Sequence, residues 1–296
     1  MYLIFDIGGS STKIAIINDK LEIINKYNIM KKDSLQEFVC MLEEQSQRAI
    51  DEHSIRGIGI SSPGSVDPKS GSVQGISAVE YIADINFAYQ LQEKFKLPVA
   101  IENDANCSAL AEIYMNKPKE KNICFFVIGS GIGGAVLMDE ELIHGRRFES
   151  GEFGYMLFNT DDGIKNLSSL ATLPNIVKKM KEKYKIDTNT YELLDKYLEK
   201  IEPYYSEVDL MFNYLCMGLY NVQYCLDPQV IYIGGGVSQS GKFIDSLERK
   251  LQEESFKSAN IKIRQATRYN DNNLYGACAN LIKMIEKGEK LCIQSE

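Results

Sequence analysis

The sequence predicts an α/β fold made of two similarly built domains that face each other across a central cleft. Apolar, β-rich runs alternate with amphipathic helical stretches along 296 residues, enough chain for two domains of ordinary size. Three of the predicted buried strands end in glycine-rich turns, and two of these turns open a hairpin. The two halves therefore begin alike, each with a buried strand, a glycine-rich turn and a returning strand.

The predicted domain boundary lies near Lys117, so the first domain covers residues 1–117 and the second covers residues 118–285. A C-terminal helix at about 286–296 is expected to complete the first domain. The elements predicted for the first domain are strands at 2–5, 13–17, 21–29, 57–60 and 99–102 and helices that start near Ser34, Asn86 and Ala105. Those predicted for the second are strands at 122–128, 135–138 and 230–233, polar surface helices within 160–207, and helices at 210–226 and 273–287.

The bulk composition excludes several classes of function. The net charge of −8 and the pI near 5.1 argue against a nucleic-acid partner, because neutralising phosphates requires a basic surface. The seven cysteines are scattered without metal-ligand spacing and the two histidines are far apart, so we expect no zinc site. No apolar run has the length of a membrane span or of a signal-peptide core. These features predict a cytoplasmic protein without a membrane partner.

The first glycine-rich turn follows a buried strand that ends in Asp6. Its glycines allow main-chain N–H groups to approach an anion closely, and the hydroxyls and lysine that follow can bind phosphate oxygens. Asp6 would then face Mg²⁺, directly or through water. An ordinary glycine hairpin with a solvated aspartate is the alternative. The candidate phosphate-binding residues of this turn are Asp6, Gly8, Gly9, Ser10, Thr12 and Lys13.

Two further glycine-rich turns follow predicted strands in the second half. Residues 129–134 contain four glycines, and residues 234–236 are all glycine. Each turn alone could be a flexible loop, but three such turns at strand ends favour a nucleotide held from both domains. The candidate nucleotide-binding residues here are Gly129, Ser130, Gly131, Gly133, Gly234, Gly235 and Gly236.

A polar cluster, Glu102-Asn103-Asp104-Ala105-Asn106, lies where a predicted strand is followed by a helix. Phosphoryl transfer to an alcohol needs a carboxylate that accepts the hydroxyl proton, and Asp104 is the candidate for this general base. Asn103 can both donate and accept a hydrogen bond, which suits a neighbouring sugar hydroxyl. The alternative is that Asp104 only caps the helix.

A second polar cluster, residues 149–155, places Glu152 and Tyr155 among glycines. Carboxylates accept hydrogen bonds from polyols, and an aromatic ring can lie against the face of a sugar. Both residues are therefore candidate sugar ligands, and the alternative is a polar surface turn.

In their order and spacing, these motifs resemble those of the ROK family, which comprises repressors, open reading frames and sugar kinases. The resemblance runs over nearly the whole chain and includes the three glycine-rich turns, Pro63-Gly64, residues 102–106 and residues 151–154. It implies two RNase-H-like domains of the actin/hexokinase type, ATP with Mg²⁺, and phosphorylation usually at the sugar 6-hydroxyl. It also implies a homodimer.

The resemblance also suggests roles for individual residues. Asp104 matches the catalytic base, and the three glycine-rich turns match the nucleotide side. The residues that match the sugar side are Gly64, Asn103, Asp104, Glu152 and Tyr155, with Ser168 or a neighbour where family members usually carry a glutamate.

Two departures from the family pattern bear on the substrate. Tyr155 stands where the family usually has a histidine that contacts both the sugar and a structural zinc, and residues 161–171 lack the family's cysteines. The glutamate missing near Ser168 usually binds the sugar at its anomeric end. Its loss removes the penalty for blocking the anomeric hydroxyl. The sequence therefore favours glucose or a β-glucoside such as cellobiose as the substrate.

Several alternatives stay open at the level of sequence. Within the family, an N-acetylmannosamine or fructose kinase is compatible with the motifs. A sugar-binding transcriptional regulator without catalysis belongs to another class. Such regulators carry an N-terminal helix-turn-helix, whereas here the first strand begins at residue 2 and the net charge is −8. A catalytically silent sugar-binding protein is disfavoured because Asp104 and the glycine-rich turns are present.

Overall fold

The structure is a computed structural model that describes residues 1–75, 77, 79–83, 85–267 and 271–292. The chain divides into two compact units. The first comprises Met1–Lys117, Gly145–Glu149 and Asn270–Glu296, and the second comprises Pro118–His144 and Ser150–Tyr269. Each unit contains a five-stranded sheet of mixed parallel and antiparallel strands.

The first unit begins with an antiparallel meander, which two parallel strands extend. In chain order its elements are β1 (Tyr2–Ile7), β2 (Ser11–Ile17), β3 (Ile23–Met30), α1 (Leu35–Glu52), β4 (Ile58–Ser62), β5 (Ser65–Val66), β6 (Val73–Gln74), α2 (Phe87–Phe95), β7 (Val99–Asn103) and α3 (Asp104–Asn116). The main sheet has the order β3-β2-β1-β4-β7. β1 is buried along its whole length, because hydrophobic clusters cover both faces of the sheet.

The second unit repeats this arrangement. In chain order its elements are β8 (Ile123–Ile128), β9 (Ile132–Met138), β10 (Glu141–Leu142), β11 (Leu157–Thr160), β12 (Gly163–Asn166), α4 (Leu167–Leu170), α5 (Leu173–Lys179), α6 (Thr190–Leu198), α7 (Tyr204–Leu226), β13 (Val230–Gly234), α8 (Gly241–Leu251) and β14 (Ile263–Gln265). Its sheet has the order β10-β9-β8-β13-β14, with the same succession of antiparallel and parallel pairs. The prediction of two similarly built α/β domains is confirmed at the level of sheet topology.

The last helix, α9 (Asn272–Glu286), belongs to the first unit, where it packs on β1, β4 and α3. Glycines permit this close approach: a Cβ at Gly59 would lie 2.7 Å from the Ala277 carbonyl oxygen, and one at Gly276 would collide with the Cys107 carbonyl oxygen. From the sequence, this helix is expected within the second domain (118–285), with a completing helix at about 286–296. Residues 293–296 of that expected helix lie outside the described residues.

Local signals predicted some elements better than others. Ser34 is the N-cap of α1, as predicted, and its hydroxyl accepts a hydrogen bond from the Glu37 N–H. The stretch 160–207, predicted as surface helices, also contains the last residue of β11 and all of β12. Within the described ranges, no helix is long and apolar enough to cross a membrane.

Candidate functional site

The carboxyl ends of β1, β4 and β7 lie side by side, because β4 is a parallel neighbour of both other strands. Asp6 pairs in register with Ser61, and Ser61 pairs with Glu102. The polar residues that follow these strands are thereby brought to one edge of the first unit's sheet. In open α/β sheets, ligands bind at this edge, so it is the candidate acceptor and phosphate site of the first unit.

Asp6 is buried, and three side chains hold its carboxylate. Lys13 Nζ lies 2.9 Å from Oδ2, while Ser61 Oγ and Asn273 Nδ2 donate to Oδ1 at 3.1 and 3.0 Å. The side-chain Oδ1 of Asn273 in turn accepts from Ser108 Oγ at 2.7 Å. Neither Ser61 nor Asn273 is among the site residues predicted from the sequence. Ser61 could have been predicted, because it lies at the end of a buried strand. Asn273 is 267 residues from Asp6, and no local pattern connects the two.

The turn between β1 and β2 is a short hairpin, as predicted. The Gly8 N–H donates to the Ser11 carbonyl at 3.0 Å and closes the turn. Gly9 and Ser10 are exposed, whereas the Thr12 side chain is buried. Gly9 and Ser10 are therefore accessible to a ligand from solvent, and a direct contact of Thr12 with phosphate stays a prediction.

Asn103, rather than Asp104, is the N-cap of α3. Its Oδ1 accepts from the N–H groups of Ala105 and Asn106 at 2.9 and 3.2 Å. Its Nδ2 donates to the Gly64 carbonyl at 3.0 Å, where the backbone φ of +96° favours glycine. The Asn103 amide is thus committed to the strand–helix junction, and its direct contact with a sugar stays a prediction.

Asp104 occupies the first position of α3, where its Oδ1 accepts from the Ala105 N–H at 2.8 Å. Burial raises the pKa of Asp104 from 3.8 to about 6, against the lowering effect of the Ala105 hydrogen bond, and the Asp6 carboxylate adds to the rise. Such a carboxyl is largely ionised at neutral pH and basic enough to accept a hydroxyl proton. A perturbed acid at the ligand-binding edge of a sheet is a candidate functional residue.

In the second unit, the turn after β8 is shorter than predicted. It covers residues 129–131 and is closed by the Gly129 N–H, which donates to the Gly131 carbonyl at 2.9 Å. The predicted six-residue turn is corrected here, because β9 already begins at Ile132 and includes Gly133 and Gly134.

Packing explains why one of these strand positions is glycine. A Cβ at Gly134 would lie 2.5 Å from the Phe153 ring and 2.6 Å from the Gly151 carbonyl oxygen. The absence of a side chain there lets the 151–155 loop lie directly on β9. Gly134 therefore allows the 151–155 loop to pack on β9. A contact of Gly133 with phosphate stays a prediction.

The third glycine-rich turn, Gly234 to Gly236, lies beside the second, Gly129 to Gly131, since Gly234 pairs with Val127 near the end of β8. Gly235 has a φ of +80°, and a Cβ there would collide with the Ile128 carbonyl oxygen. Gly236, in contrast, has open space around it. Two of the predicted nucleotide-binding turns thus meet at the carboxyl ends of β8 and β13.

The candidate sugar-binding loop is anchored on the same sheet. Its short 3₁₀ helix, Phe153–Tyr155, is held by Phe153, whose ring stacks on Phe126 with centroids 4.6 Å apart. Glu152 is partly exposed, and Tyr155 is 56 % exposed. The Ser168 hydroxyl, predicted to contact a sugar, accepts from the Ile132 N–H at 2.9 Å. A sugar contact of any of these side chains stays a prediction.

Residues 161–171, where the family usually carries a zinc motif, form most of the β11–β12 turn, β12 and α4. Among the described residues, no group of three or more His, Cys, Asp or Glu side chains could hold a metal ion. A groove of about 630 Å³ between α8 and β14 includes Asp245, Arg249 and Arg264 in its lining, but none of the predicted site residues. The predicted site residues therefore lie outside this groove.

Comparison with known proteins agrees with these features. The ROK family profile matches residues 2–284. A β-glucoside kinase of Listeria monocytogenes is 31% identical over 296 residues, covering 94% of this chain and 96% of that protein. One of Klebsiella pneumoniae is 33% identical over 257 residues, covering 83% and 85%. The solved structure of a ROK family protein from Streptococcus pneumoniae TIGR4, in complex with sucrose, has a TM-score of 0.85 at 32% identity, covering 96% and 99%. The chain therefore belongs to the ROK family and has its two-domain, actin/hexokinase-like fold.

Proposed function

We propose that this kinase transfers the γ-phosphate of ATP to the 6-hydroxyl of a glucose unit, in free glucose or in a β-glucoside such as cellobiose. The kinase class rests on relatives at about 30% identity, which are named sugar kinases. The observation that carries the proposal is Asp104, a partly buried carboxyl with a pKa of about 6 at the carboxyl edge of the sheet.

Asp104 acts as the general base in this mechanism. At pH 7 a carboxyl with a pKa of about 6 is ionised in roughly ten molecules for each protonated one. The carboxylate accepts a hydrogen bond from the sugar hydroxyl and takes its proton as the oxygen bonds to the γ-phosphorus. The bond from that phosphorus to the β–γ bridging oxygen breaks, and ADP leaves with the electron pair.

The residues around Asp6 fit a magnesium ion bound through water. Both Asp6 oxygens already have protein partners, namely Lys13, Ser61 and Asn273, so an inner-sphere bond would have to displace one of them. Mg²⁺ usually keeps several of its waters, and Asp6 can accept hydrogen bonds from such waters. When bound, the ion neutralises charge on the phosphates. Beside Asp6, the exposed Gly9 and Ser10 of the first glycine-rich turn offer main-chain N–H donors to phosphate oxygens.

Four observations support a glycoside as acceptor. The relatives at 31% and 33% identity are named β-glucoside kinases, and the protein at 32% identity was solved with sucrose, a sugar with no free anomeric hydroxyl. Ser168 carries no charge where family members usually place a carboxylate. Tyr155 offers an exposed ring that could lie against a second sugar.

A coupled ADP-release assay tests the substrate. We expect kcat/KM for cellobiose and methyl β-glucoside to equal or exceed that for glucose, and 6-deoxyglucose to accept no phosphate. NMR of the product identifies the phosphorylated carbon. A strong preference for free glucose, fructose or an N-acetyl sugar would reject the glycoside assignment.

The same assay tests the base. Asp104→Asn should lower kcat by about 10²–10⁴, the usual contribution of a general base. Asp51→Asn, at an exposed carboxylate of α1, is the matched control and should retain wild-type activity. Equal ADP release by wild type and Asp104→Asn would remove Asp104 from this role.

We also propose that the protein forms a homodimer whose subunits pack against each other through α7. Leu210, Met217 and Tyr224 are 43, 41 and 62 % exposed and seven residues apart, so they form one stripe. No charged residue occurs from position 210 to 226. Two copies that each carry a net charge of −8 can therefore meet at this face without contact between like charges. Light scattering should show dimers that Met217→Lys converts to monomers, whereas Tyr191→Lys on α6 should not.

We also assign the protein to the cytoplasm. All seven cysteines are free thiols, four of them buried. Reduced thiols are typical of a reducing compartment, which is also where ATP is available as a donor. Fractionation of cells that express the tagged chain tests the assignment, and recovery outside the cytoplasmic fraction would overturn it.

A further inference from the structure

Ser168 in α4 contacts two other segments of the second unit, β9 through its hydroxyl and α5 through its main-chain carbonyl. The Ile132 N–H, at the start of β9, donates to Ser168 Oγ at 2.9 Å, and Ser168 Oγ lies 3.4 Å from the Ile132 carbonyl oxygen, to which it donates. The Ser168 carbonyl accepts from Asn175 Nδ2 at 2.8 Å, which ties α4 to α5. The donor and one acceptor position of the hydroxyl are therefore already used within the protein.

Two glycines show how closely the neighbouring segments approach this hydroxyl. A Cβ at Gly131, in the turn after β8, would lie 3.5 Å from Ser168 Oγ. A Cβ at Gly154, in the candidate sugar-binding loop, would collide with both Ser168 Oγ and the Ile132 carbonyl oxygen. The hydroxyl thus lies beside Gly131, at the end of the proposed phosphate-binding turn, and beside Gly154, in the middle of the proposed sugar-binding loop.

We propose that Ser168 is a positioning residue that holds the turn Gly129–Gly131 in the shape that binds nucleotide phosphates, and that it is not itself a sugar ligand. This inference rests on the proposed function, in which that turn contacts the phosphates. The hydroxyl fixes the Ile132 main chain directly after the turn, so the turn's N–H groups keep their direction. Through Gly154, the same contact links the shape of the turn to the position of the 151–155 loop.

Amide hydrogen exchange tests the contact without reference to activity. In Ser168→Ala the Ile132 amide loses its acceptor, so its exchange should accelerate about tenfold or more, whereas Ser168→Thr retains a hydroxyl and should exchange nearly as wild type does. Ser169→Ala is the matched control, because that neighbouring hydroxyl donates to the Asn166 carbonyl and not to β9. Unchanged exchange at Ile132 in Ser168→Ala would overturn the proposal.

Calorimetry with Mg²⁺ and the non-hydrolysable nucleotide AMPPNP tests the consequence. We expect Ser168→Ala to bind AMPPNP about tenfold more weakly than wild type, and Ser168→Thr and Ser169→Ala to bind within about twofold of it. In turnover, Ser168→Ala should raise KM for ATP while leaving KM for the sugar within about twofold. The opposite split, with sugar KM raised and nucleotide affinity unchanged, would show that Ser168 is a sugar ligand and would overturn the proposal.

The two proposals fail separately. A wild-type chain that binds AMPPNP but phosphorylates none of the sugars contradicts the proposed acceptor, while the affinity of Ser168→Ala for AMPPNP still decides the positioning role. A wild-type chain that binds no nucleotide at all would overturn both.

Discussion

Asp104→Asn should stabilise the folded protein while it lowers kcat. The substitution keeps an oxygen that can accept the Ala105 N–H, which now binds Asp104 Oδ1 at 2.8 Å, and it removes the negative charge. Burial disfavours that charge in the folded state but not in the unfolded chain. The variant therefore no longer has to bury an ionised carboxylate at neutral pH.

The size of the effect follows from the pKa of Asp104. A rise from 3.8 in the unfolded chain to about 6 in the folded protein corresponds to about 3 kcal/mol. Because the folded state binds the proton more tightly, the relative stabilisation is complete below about pH 3.8 and is lost as the pH rises through about 6. The advantage of Asp104→Asn over wild type should therefore grow by about 2 kcal/mol between pH 4 and pH 8.

Urea unfolding followed by far-UV circular dichroism measures this difference at several pH values. Asp51→Asn controls for the loss of one exposed carboxylate and should show no comparable trend. In parallel, wild-type kcat/KM should fall about tenfold per pH unit below pH 6, because only the ionised base accepts the proton. A stability difference that does not change with pH would refute the reasoning, since it would mean that Asp104 is not buried as a charge.

Further predictions concern glycines and the α3 cap. Gly235→Ala should destabilise the protein by about 2 kcal/mol or more, because of the positive φ and the collision with Ile128, whereas Gly236→Ala should change stability little; thermal unfolding compares the two. Gly276→Ala should force α9 from α3 and lower the melting temperature strongly, while Gly241→Ala, in open space, should not, and equal melting temperatures would contradict the packing argument. Asn103→Ala should lose about 1 kcal/mol of stability through the missing cap, and Asn103→Asp should retain most of it in urea unfolding.

Much of the candidate site could be predicted because its signals are local. A carboxylate at a strand end, a glycine-rich turn and a polar strand–helix junction each occupy a few consecutive residues, as Asp6, Gly8 and Asp104 do. The geometry of these segments depends on their neighbours. Asn103, and not Asp104, is the N-cap of α3. β9 extends into the predicted turn because Gly134 pairs with Phe126.

Other features depended on partners distant in the chain. Asn273 reaches Asp6 across 267 residues, and Ser168 reaches Ile132 across 36. Neither pair has a sequence pattern that connects its members, since each contact arises only when separate helices pack on a sheet. The sequence could name Ser168 as a candidate but could not show that its hydroxyl is already occupied.

The amino-acid sequence by itself determined that this chain forms two α/β domains with glycine-rich turns at strand ends and a carboxylate at Asp104. These features follow from local periodicity and from the conformational range of glycine. Only the tertiary structure determines to which unit α9 belongs and which side chains bind the Asp6 carboxylate. Only the tertiary structure also raises the pKa of Asp104 to about 6. The physical reason is that burial and hydrogen-bond partners are properties of packed segments, and they do not exist until the segments meet.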